Sequence, residues 1–180
     1  MILAGDPGKR CGLSLYSGGV LATSTIDGDD IDRIVLVMEA FAELSKGDGI
    51  VVVEDQYAAV HTNRTGRGQI NVKSVIKLVE RRTNLVAVAR SFRLVTKLVK
   101  PSTWQGPAFK SVPRFNDYGA ELDTKTRAGL FVQQRVMTVH RGSVPGAGGK
   151  SKAVPSQLLP KDEQDAAAIA LYWATWRSGD

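Results

Sequence analysis

The chain contains little cysteine and no long apolar run, and each absence excludes a class of protein. Cys11 is its only cysteine, so one chain can form no internal disulfide, which is typical of proteins that work in a reducing cytoplasm. No apolar stretch approaches the roughly 20 residues that a membrane-spanning helix needs, and the first residues do not have the pattern of a signal peptide. We therefore expect a cytoplasmic protein that does not associate with membranes.

Histidine is also scarce, which argues against a zinc site. The only two histidines, His61 and His140, are far apart in the sequence. Zinc sites are built from three or four protein ligands, most of them Cys or His at close spacing. Both histidines are expected to lie in loops or on the surface, so the chain offers carboxylates rather than a Cys/His cluster as metal ligands.

Length and hydrophobic content predict one folded domain. Hydrophobic residues make up 43% of the 180 residues, which is enough for a core, and this length is usual for a single domain. We predict one domain over residues 1–180, with a flexible loop at about 141–157, where Gly, Pro, Ser and Lys dominate.

Positive charge is concentrated in one third of the chain. The net charge is +6, and residues 61–110 hold eleven Lys and Arg against Glu80 alone, whereas residues 1–60 have an acidic excess. A local basic excess is expected of a protein that binds a polyphosphate such as nucleic acid. A basic face that only maintains solubility would give the same count.

The pattern of apolar residues predicts a mixed α/β sheet of five strands, flanked by helices. Three strands at 2–4, 11–16 and 20–25 form an antiparallel meander, with Ser17-Gly18-Gly19 as a hairpin turn. A strand at 50–53, apolar throughout, and another at 94–99 alternate with helices, as parallel strands do.

Capping residues and 3.6-residue periodicity predict four helices. They are a helix capped by Asp29 or Asp30 and ended by Gly47 and Gly49, a helix from about Val72, a helix from Asp123 or Thr124 to about Val136, and a last helix at 161–176. The periodicity of 85–89 also fits a strand. The turn-forming residues of 106–123 predict a loop.

Four carboxylates stand where predicted elements begin or end. Asp6 follows the first strand, Glu54 follows the apolar strand, and Asp162 and Asp165 lie three apart on one side of the last helix. Each has a structural alternative: Asp6 can hydrogen-bond its own turn, Glu54 can mark the point where its strand reaches solvent, and acids are favoured in the first turn of a helix. Glu163 is expected to point elsewhere.

Together, these positions are similar to the acidic site of RNase H-like nucleases. The segment GDPGKRCGLSLY at 5–16 resembles the first strand of the RuvC family of Holliday junction resolvases. VVVEDQY at 51–57 resembles that family's glutamate strand, and DEQDAAAIALYWA at 162–174 resembles its last helix. KPSTWQ at 100–105 looks like a segment of phage-type members.

The resemblance implies an RNase H-like fold in which Asp6, Glu54, Asp162 and Asp165 are the catalytic acids and the metal ligands. It implies two Mg²⁺ ions per active site, replaceable by Mn²⁺, because hard cations prefer oxygen ligands and paired ions promote phosphodiester hydrolysis. The implied activity is the cutting of branched DNA, a four-way junction, at paired sites by a homodimer in a bacterium or a phage-infected cell. No nucleotide cofactor is expected.

The candidate DNA-binding residues are one aromatic and six cations. Tyr57 matches an aromatic position that RuvC relatives use at the junction centre, although it can equally pack at the sheet edge. Phosphate contacts are predicted for Arg64, Arg67, Lys73, Lys77, Arg81 and Arg82. A helix end can also hold charges such as Arg81 and Arg82 to complement its dipole. Trp104 is expected to anchor its segment to the core rather than to contact DNA.

Three other functions are compatible with parts of this sequence. A nuclease of the same fold could act on flaps, forks or RNA. A non-catalytic junction-binding protein is disfavoured because carboxylates without metal would repel DNA. A kinase-like ATP-binding protein would need two such domains. Residues 148–151, Gly-Gly-Lys-Ser, resemble the end of a P-loop, but position 144 is valine where that motif needs glycine.

Overall fold

A computed structural model describes residues 1–55 and 72–176 of the chain. In chain order its elements are β1 Ile2–Asp6, β2 Arg10–Ser17, β3 Val20–Asp27, α1 Ile31–Ser45, β4 Ile50–Glu54, α2 Val72–Ser91, β5 Val95–Val99, α3 Pro101–Ala108, α4 Thr124–Gln133, β6 Thr138–Arg141, β7 Lys152–Pro155 and α5 Lys161–Trp176. Short 3₁₀ helices follow α3 at Phe109–Ser111 and β7 at Ser156–Leu158. Within these described residues, no helix is long and apolar enough to cross a membrane.

The strands of the described residues form one mixed sheet in the order β5-β4-β1-β2-β3-β6-β7. β1, β2 and β3 form the predicted antiparallel meander. β4 runs parallel to β1, β5 runs parallel to β4, and β6 runs parallel to β3. β7 pairs antiparallel to β6. The strands β1, β3, β4, β5 and β6 therefore end at one edge of the sheet, where β2 and β7 begin. We call this edge, which contains Asp6 and Glu54, the upper edge.

Two apolar layers cover the sheet, because neighbouring residues of a strand point to opposite faces. Val51 and Val53 pack in a layer with residues of α1 and α2, whereas Val52 packs on the other face with residues of α3, α4 and α5. This two-sided burial explains why residues 50–53 are apolar without interruption, as predicted.

The mixed α/β class is confirmed, but the sheet has seven strands instead of the five predicted. The two additional strands, β6 and β7, extend it beyond β3, and β7 lies inside the interval 141–157 that was predicted as a loop. Each of these four-residue strands buries only one residue, Val139 or Val154. Such short strands at the side of a sheet have too little apolar alternation to be recognised in the sequence.

Two other segments differ from the sequence prediction. α3 extends into the interval 106–123 that was predicted as a loop. The helix begins with Pro101, a favourable position for proline, while Gly106 and Pro107, which suggested a break, lie in its last turn. Segment 85–89 belongs to α2, so the alternative of a strand there is wrong.

Candidate active site

Asp6 and Glu54 lie beside each other at the upper edge. Each is the last residue of its strand, and β1 and β4 are parallel neighbours in which Gly5 is opposite Val53. Their exposed fractions are only 4% and 3%. The two strands thus bring two carboxylates together in a buried position, where a charge is costly unless it is neutralised.

Asp165 reaches the same place from α5, because this helix approaches β2 very closely. Gly12 pairs with Asp6 across the sheet, and a Cβ atom at Gly12 would lie 1.7 Å from the carbonyl oxygen of Asp162. Only glycine therefore allows the first turn of α5 to lie where it does. The alanines at 166–168 are fully buried and allow the same close approach along the helix.

Lys125, in the first turn of α4, brings a positive charge to these carboxylates. Its Nζ atom lies 2.7 Å from Asp165 Oδ2 and 4.0 Å from Asp6 Oδ2. Burial opposes the charged ammonium, but the hydrogen bond to Asp165 and the charges of both carboxylates raise the pKa of Lys125. No local pattern in the sequence marks this residue, since 40 residues separate it from Asp165.

The crowding of negative charge raises the pKa values of two carboxyl groups of the site, Asp6 and Asp165. Burial, together with the nearby carboxylates of Glu54 and Asp165, raises the pKa of Asp6 to about 8. Burial also raises the pKa of Asp165, although Lys125 opposes the shift. The carboxylates therefore need more positive charge than Lys125 supplies if all of them are to be ionised at neutral pH.

The chemistry of this donor set fits a hard divalent cation. Asp6, Glu54 and Asp165 offer buried carboxylate oxygens, the ligands that Mg²⁺ and Mn²⁺ prefer, and the raised pKa values of Asp6 and Asp165 reflect a deficit of positive charge. Within residues 1–55 and 72–176, no three His, Cys, Asp or Glu side chains form a ready-made metal cluster. A bound cation would have to draw the carboxylates closer together and share them with Lys125.

Asp162 and Glu163 have different surroundings from Asp165. Asp162 lies at the rim of the site, where its Oδ2 atom is 3.2 Å from Arg10 Nε and its side chain is about one-third exposed. Glu163 points away from the site, as predicted. It is buried and accepts hydrogen bonds from Thr23 Oγ1, Thr25 Oγ1 and Arg141 Nε.

Trp104 holds Glu54 in place. The indole is fully buried in α3, as expected of a core anchor. Its Nε1 atom donates a hydrogen bond of 2.9 Å to Glu54 Oε1. The sequence did not show this second role, because the two residues come from different elements.

We expect Trp104→Phe to slow cleavage by about ten- to a hundredfold while the KM for DNA changes little. Phenylalanine keeps most of the packing but cannot donate to Glu54, and a hydrogen bond to a charged group contributes about 1.5–3 kcal/mol. Single-turnover rates and binding of the same DNA would separate the two quantities. Trp173→Phe is a matched control. Trp173 packs in the same apolar layer as Trp104, but it lies near the C-terminal end of α5. An equal loss in both variants would indicate packing alone.

We expect Lys125→Met to lower the melting temperature most strongly in chelator. The substitution leaves Asp6 and Asp165 without their ammonium partner, which costs about 1–2 kcal/mol for a half-exposed pair. Adding Mg²⁺ should reduce the difference from the wild type, because a metal ion can neutralise the same carboxylates. Lys46→Met, at an exposed position after α1, is the control. Identical melting temperatures of wild type and Lys125→Met in chelator would contradict this role.

The predicted DNA-binding residues fall into three groups. Tyr57, Arg64 and Arg67, like His61, lie outside the described residues. Lys73 and Lys77 lie on α2 with exposed side chains, and Lys77 also pairs with Glu80 at 2.9 Å.

The arginines of α2 are engaged within the protein. Arg81 makes a two-pronged ion pair with Asp29, at 2.9 and 2.7 Å, and Arg82 pairs with Asp55. Both guanidinium groups therefore have structural partners, and they lie in the middle of the helix rather than at its end. Lys73 and Lys77 are the members of the predicted phosphate-binding set on α2 whose side chains are exposed.

Comparison with solved structures shows a shared fold. The structure of Thermus thermophilus RuvC in complex with a Holliday junction substrate matches with a TM-score of 0.60, at 14% identity, over 99% of this chain and 94% of that one. A second structure of Thermus thermophilus RuvC matches with a TM-score of 0.52, at 17% identity, over 99% and 96%. No protein-family model and no curated protein matches the chain. The likeness confirms the predicted RNase H-like fold.

Proposed function

We propose that this protein is a metal-dependent endonuclease that resolves four-way DNA junctions, a crossover junction endodeoxyribonuclease. The observation that carries the proposal is the group of buried carboxylates Asp6, Glu54 and Asp165, gathered with Lys125 at the upper edge. Burying three acids around one lysine costs a fold stability, whereas metal-dependent phosphodiester hydrolysis uses such a group of carboxylates to hold its ions. The RuvC-like fold supports the junction as substrate.

Each residue of the site has a distinct part in this proposal. Asp6, Glu54 and Asp165 hold Mg²⁺, or Mn²⁺ in its place, and Asp162 adds a ligand from the rim. Two bound ions would supply an activated water and stabilise the leaving oxyanion. Lys125 keeps its proton and places a positive charge beside the phosphate.

DNA is held next to the site by cations and by one aromatic residue. Lys73 and Lys77 are exposed on α2, and with Arg64 and Arg67 they would contact phosphates without reading sequence. Tyr57 would stack on an unpaired base at the branch point, a contact that contributes about 1–3 kcal/mol.

We further propose that the protein acts as a homodimer. A four-way junction has nearly two-fold symmetry, so two active sites related by a two-fold axis would place paired nicks. Light scattering at the concentrations used for cleavage should give twice the mass of one chain. A monomer that still cuts the junction at symmetric positions would contradict the dimer.

One cleavage experiment tests the function. A four-way junction, a flap and an RNA/DNA hybrid are incubated with the protein in Mg²⁺, Mn²⁺, Ca²⁺ or chelator. We expect rapid junction cleavage in Mg²⁺ and Mn²⁺, binding without cleavage in Ca²⁺, which tolerates looser coordination, and no cleavage in chelator. Full activity in chelator would refute the metal site. Faster cleavage of the flap or the hybrid would transfer the proposal to that substrate.

A further inference from the structure

A second concave surface lies beside the candidate active site, on the side of β6 and β7. Its cavity of about 770 Å³ lies between the start of β2, the end of β3 and the loop that joins β6 to β7. The cationic side chains that line it are Lys9, Arg10, Arg141, Lys150 and Lys152. We call this surface the basic groove.

The acids of the basic groove are already engaged within the protein. Glu163 is buried, its charge is balanced by Arg141, and it accepts hydrogen bonds from the hydroxyl groups of two threonines. Asp27 accepts a hydrogen bond of 3.0 Å from the backbone N–H of Asp29. Glu163 is matched by Arg141, and the five cations that line the groove outnumber its two carboxylates, so a positive excess remains.

The three lysines of the groove are available to a ligand. Across residues 1–55 and 72–176, no ion pair involves Lys9, Lys150 or Lys152. Like charges gathered in a concave surface repel one another and attract an anion. The groove therefore has a net positive charge that the protein itself does not neutralise.

The loop that carries Lys150 is held against the sheet. The backbone N–H of Gly142 donates to Thr23 O at 2.6 Å, and that of Val144 donates to Ser24 Oγ at 3.2 Å. Val144 and Ala147 are buried in the layer that contains α1. A held loop presents its cations with a smaller loss of conformational entropy on binding.

The basic groove and the carboxylates share the upper edge of the sheet. β2 begins there with Arg10, β6 ends there with Arg141, and β7 begins there with Lys152. Arg10 lines the groove and also contacts Asp162 at the rim of the active site. A line of cations thus leads from the carboxylates outward past β3, away from β5.

We infer that the basic groove binds the phosphodiester backbone of the DNA as it leaves the active site. The inference rests on the proposed function in taking DNA as the polyanion. Lysines make phosphate contacts that position DNA but carry no sequence information. The strands β6 and β7, absent from the sequence prediction, would then enlarge the proposed DNA-binding surface beyond Arg64, Arg67, Lys73 and Lys77.

A pair of variants tests the groove. Lys150→Gln/Lys152→Gln removes two of its charges, and Lys46→Gln/Lys97→Gln removes two charges at the other end of the sheet, where Lys97 lies near Met1 and Ile50. Binding to a four-way junction and to a plain duplex is measured in chelator over a series of salt concentrations. The log–log salt slope should become flatter by roughly 2 in the groove variant, at about 0.9 per phosphate contact. The control should keep the wild-type slope.

A second measurement needs no substitution. Acetylation of lysines in the wild-type protein, followed by mass spectrometry, should show Lys150 and Lys152 protected by bound duplex, and Lys46 and Lys97 unprotected. An unchanged slope in the groove variant, an equal change in the control, or unprotected groove lysines would overturn the inference. Equal protection by inorganic pyrophosphate would also overturn it, because a small-anion pocket would explain the charges. If the wild-type protein fails to cut junctions, the proposed nuclease activity is refuted. The salt slope and the lysine protection would still show whether the basic groove binds DNA.

Discussion

Asp6→Asn, Glu54→Gln and Asp165→Asn should each slow junction cleavage by about a thousandfold or more, while junction binding persists. Each change replaces a charged oxygen ligand by a neutral amide of nearly the same shape. A metal site contributes several kcal/mol to stabilising the transition state, and about 4 kcal/mol corresponds to a thousandfold in rate. Cleavage rates in Mg²⁺ and binding in Ca²⁺ measure the two effects separately.

The thermal stability of these variants distinguishes loss of a ligand from loss of the fold. The folded pKa of Asp6 is about 8, against an ordinary value of 3.8, so its ionisation destabilises the metal-free protein progressively as the pH rises between these values. Asp6→Asn removes this penalty and should melt a few degrees above the wild type in chelator near pH 8, at about 2–4 °C per kcal/mol. Mg²⁺ should stabilise the wild type more than the variant.

Asp48→Asn is a matched control at the other end of the sheet, where the carboxylate is exposed. It should leave cleavage, binding and melting temperature unchanged. If the three site variants lost binding together with cleavage, or melted well below the wild type, the carboxylates would have a structural role. Full cleavage by any one of them would remove that residue from the proposed site.

The sequence revealed the carboxylates because each occupies a locally recognisable position. Asp6 and Glu54 end strands that are visible as short apolar runs, and Asp165 opens a helix with an alanine-rich face. A strand end or a helix start is set by neighbours in sequence, and the resemblance to the RuvC family then grouped Asp6, Glu54, Asp162 and Asp165 into one expected site. The convergence of Asp6 and Glu54 follows from topology, because the carboxyl ends of parallel strands meet at one edge of a sheet. Asp165 joins them through the close approach of α5 to β2.

The rest of the site depends on contacts between residues that are distant in sequence. Trp104 and Lys125 reach their carboxylates from α3 and α4, and no local pattern marks a residue for such a contact. The contacts of the cations of α2 could not be predicted from the sequence for the same reason. The count of charges in 61–110 was correct, but the count could not show that Arg81 is paired with Asp29, 52 residues away.

Gly12→Ala should reduce cleavage by about a hundredfold and destabilise the protein, although Gly12 carries no functional group. The added Cβ would lie 1.7 Å from the carbonyl oxygen of Asp162, so the first turn of α5 must move away from β2. Such overpacking typically costs about 1–3 kcal/mol. The movement would also displace Asp165 from Asp6, and a displacement of about 1 Å at a catalytic group can cost a hundredfold in rate.

Gly106→Ala is the matched control, since a Cβ at Gly106 meets no atom within 4 Å. This substitution lies inside α3, where alanine is favoured over glycine by about 0.5–1 kcal/mol, and it should leave the cleavage rate unchanged. Melting temperature and single-turnover cleavage of both variants, in saturating Mg²⁺, would measure the effects. A folded Gly12→Ala protein that cuts at the wild-type rate would show that the close contact between α5 and β2 does not position Asp165. The approach of α5 to β2 would then serve packing alone, and the geometry of the carboxylates would depend on β1, β4 and Lys125.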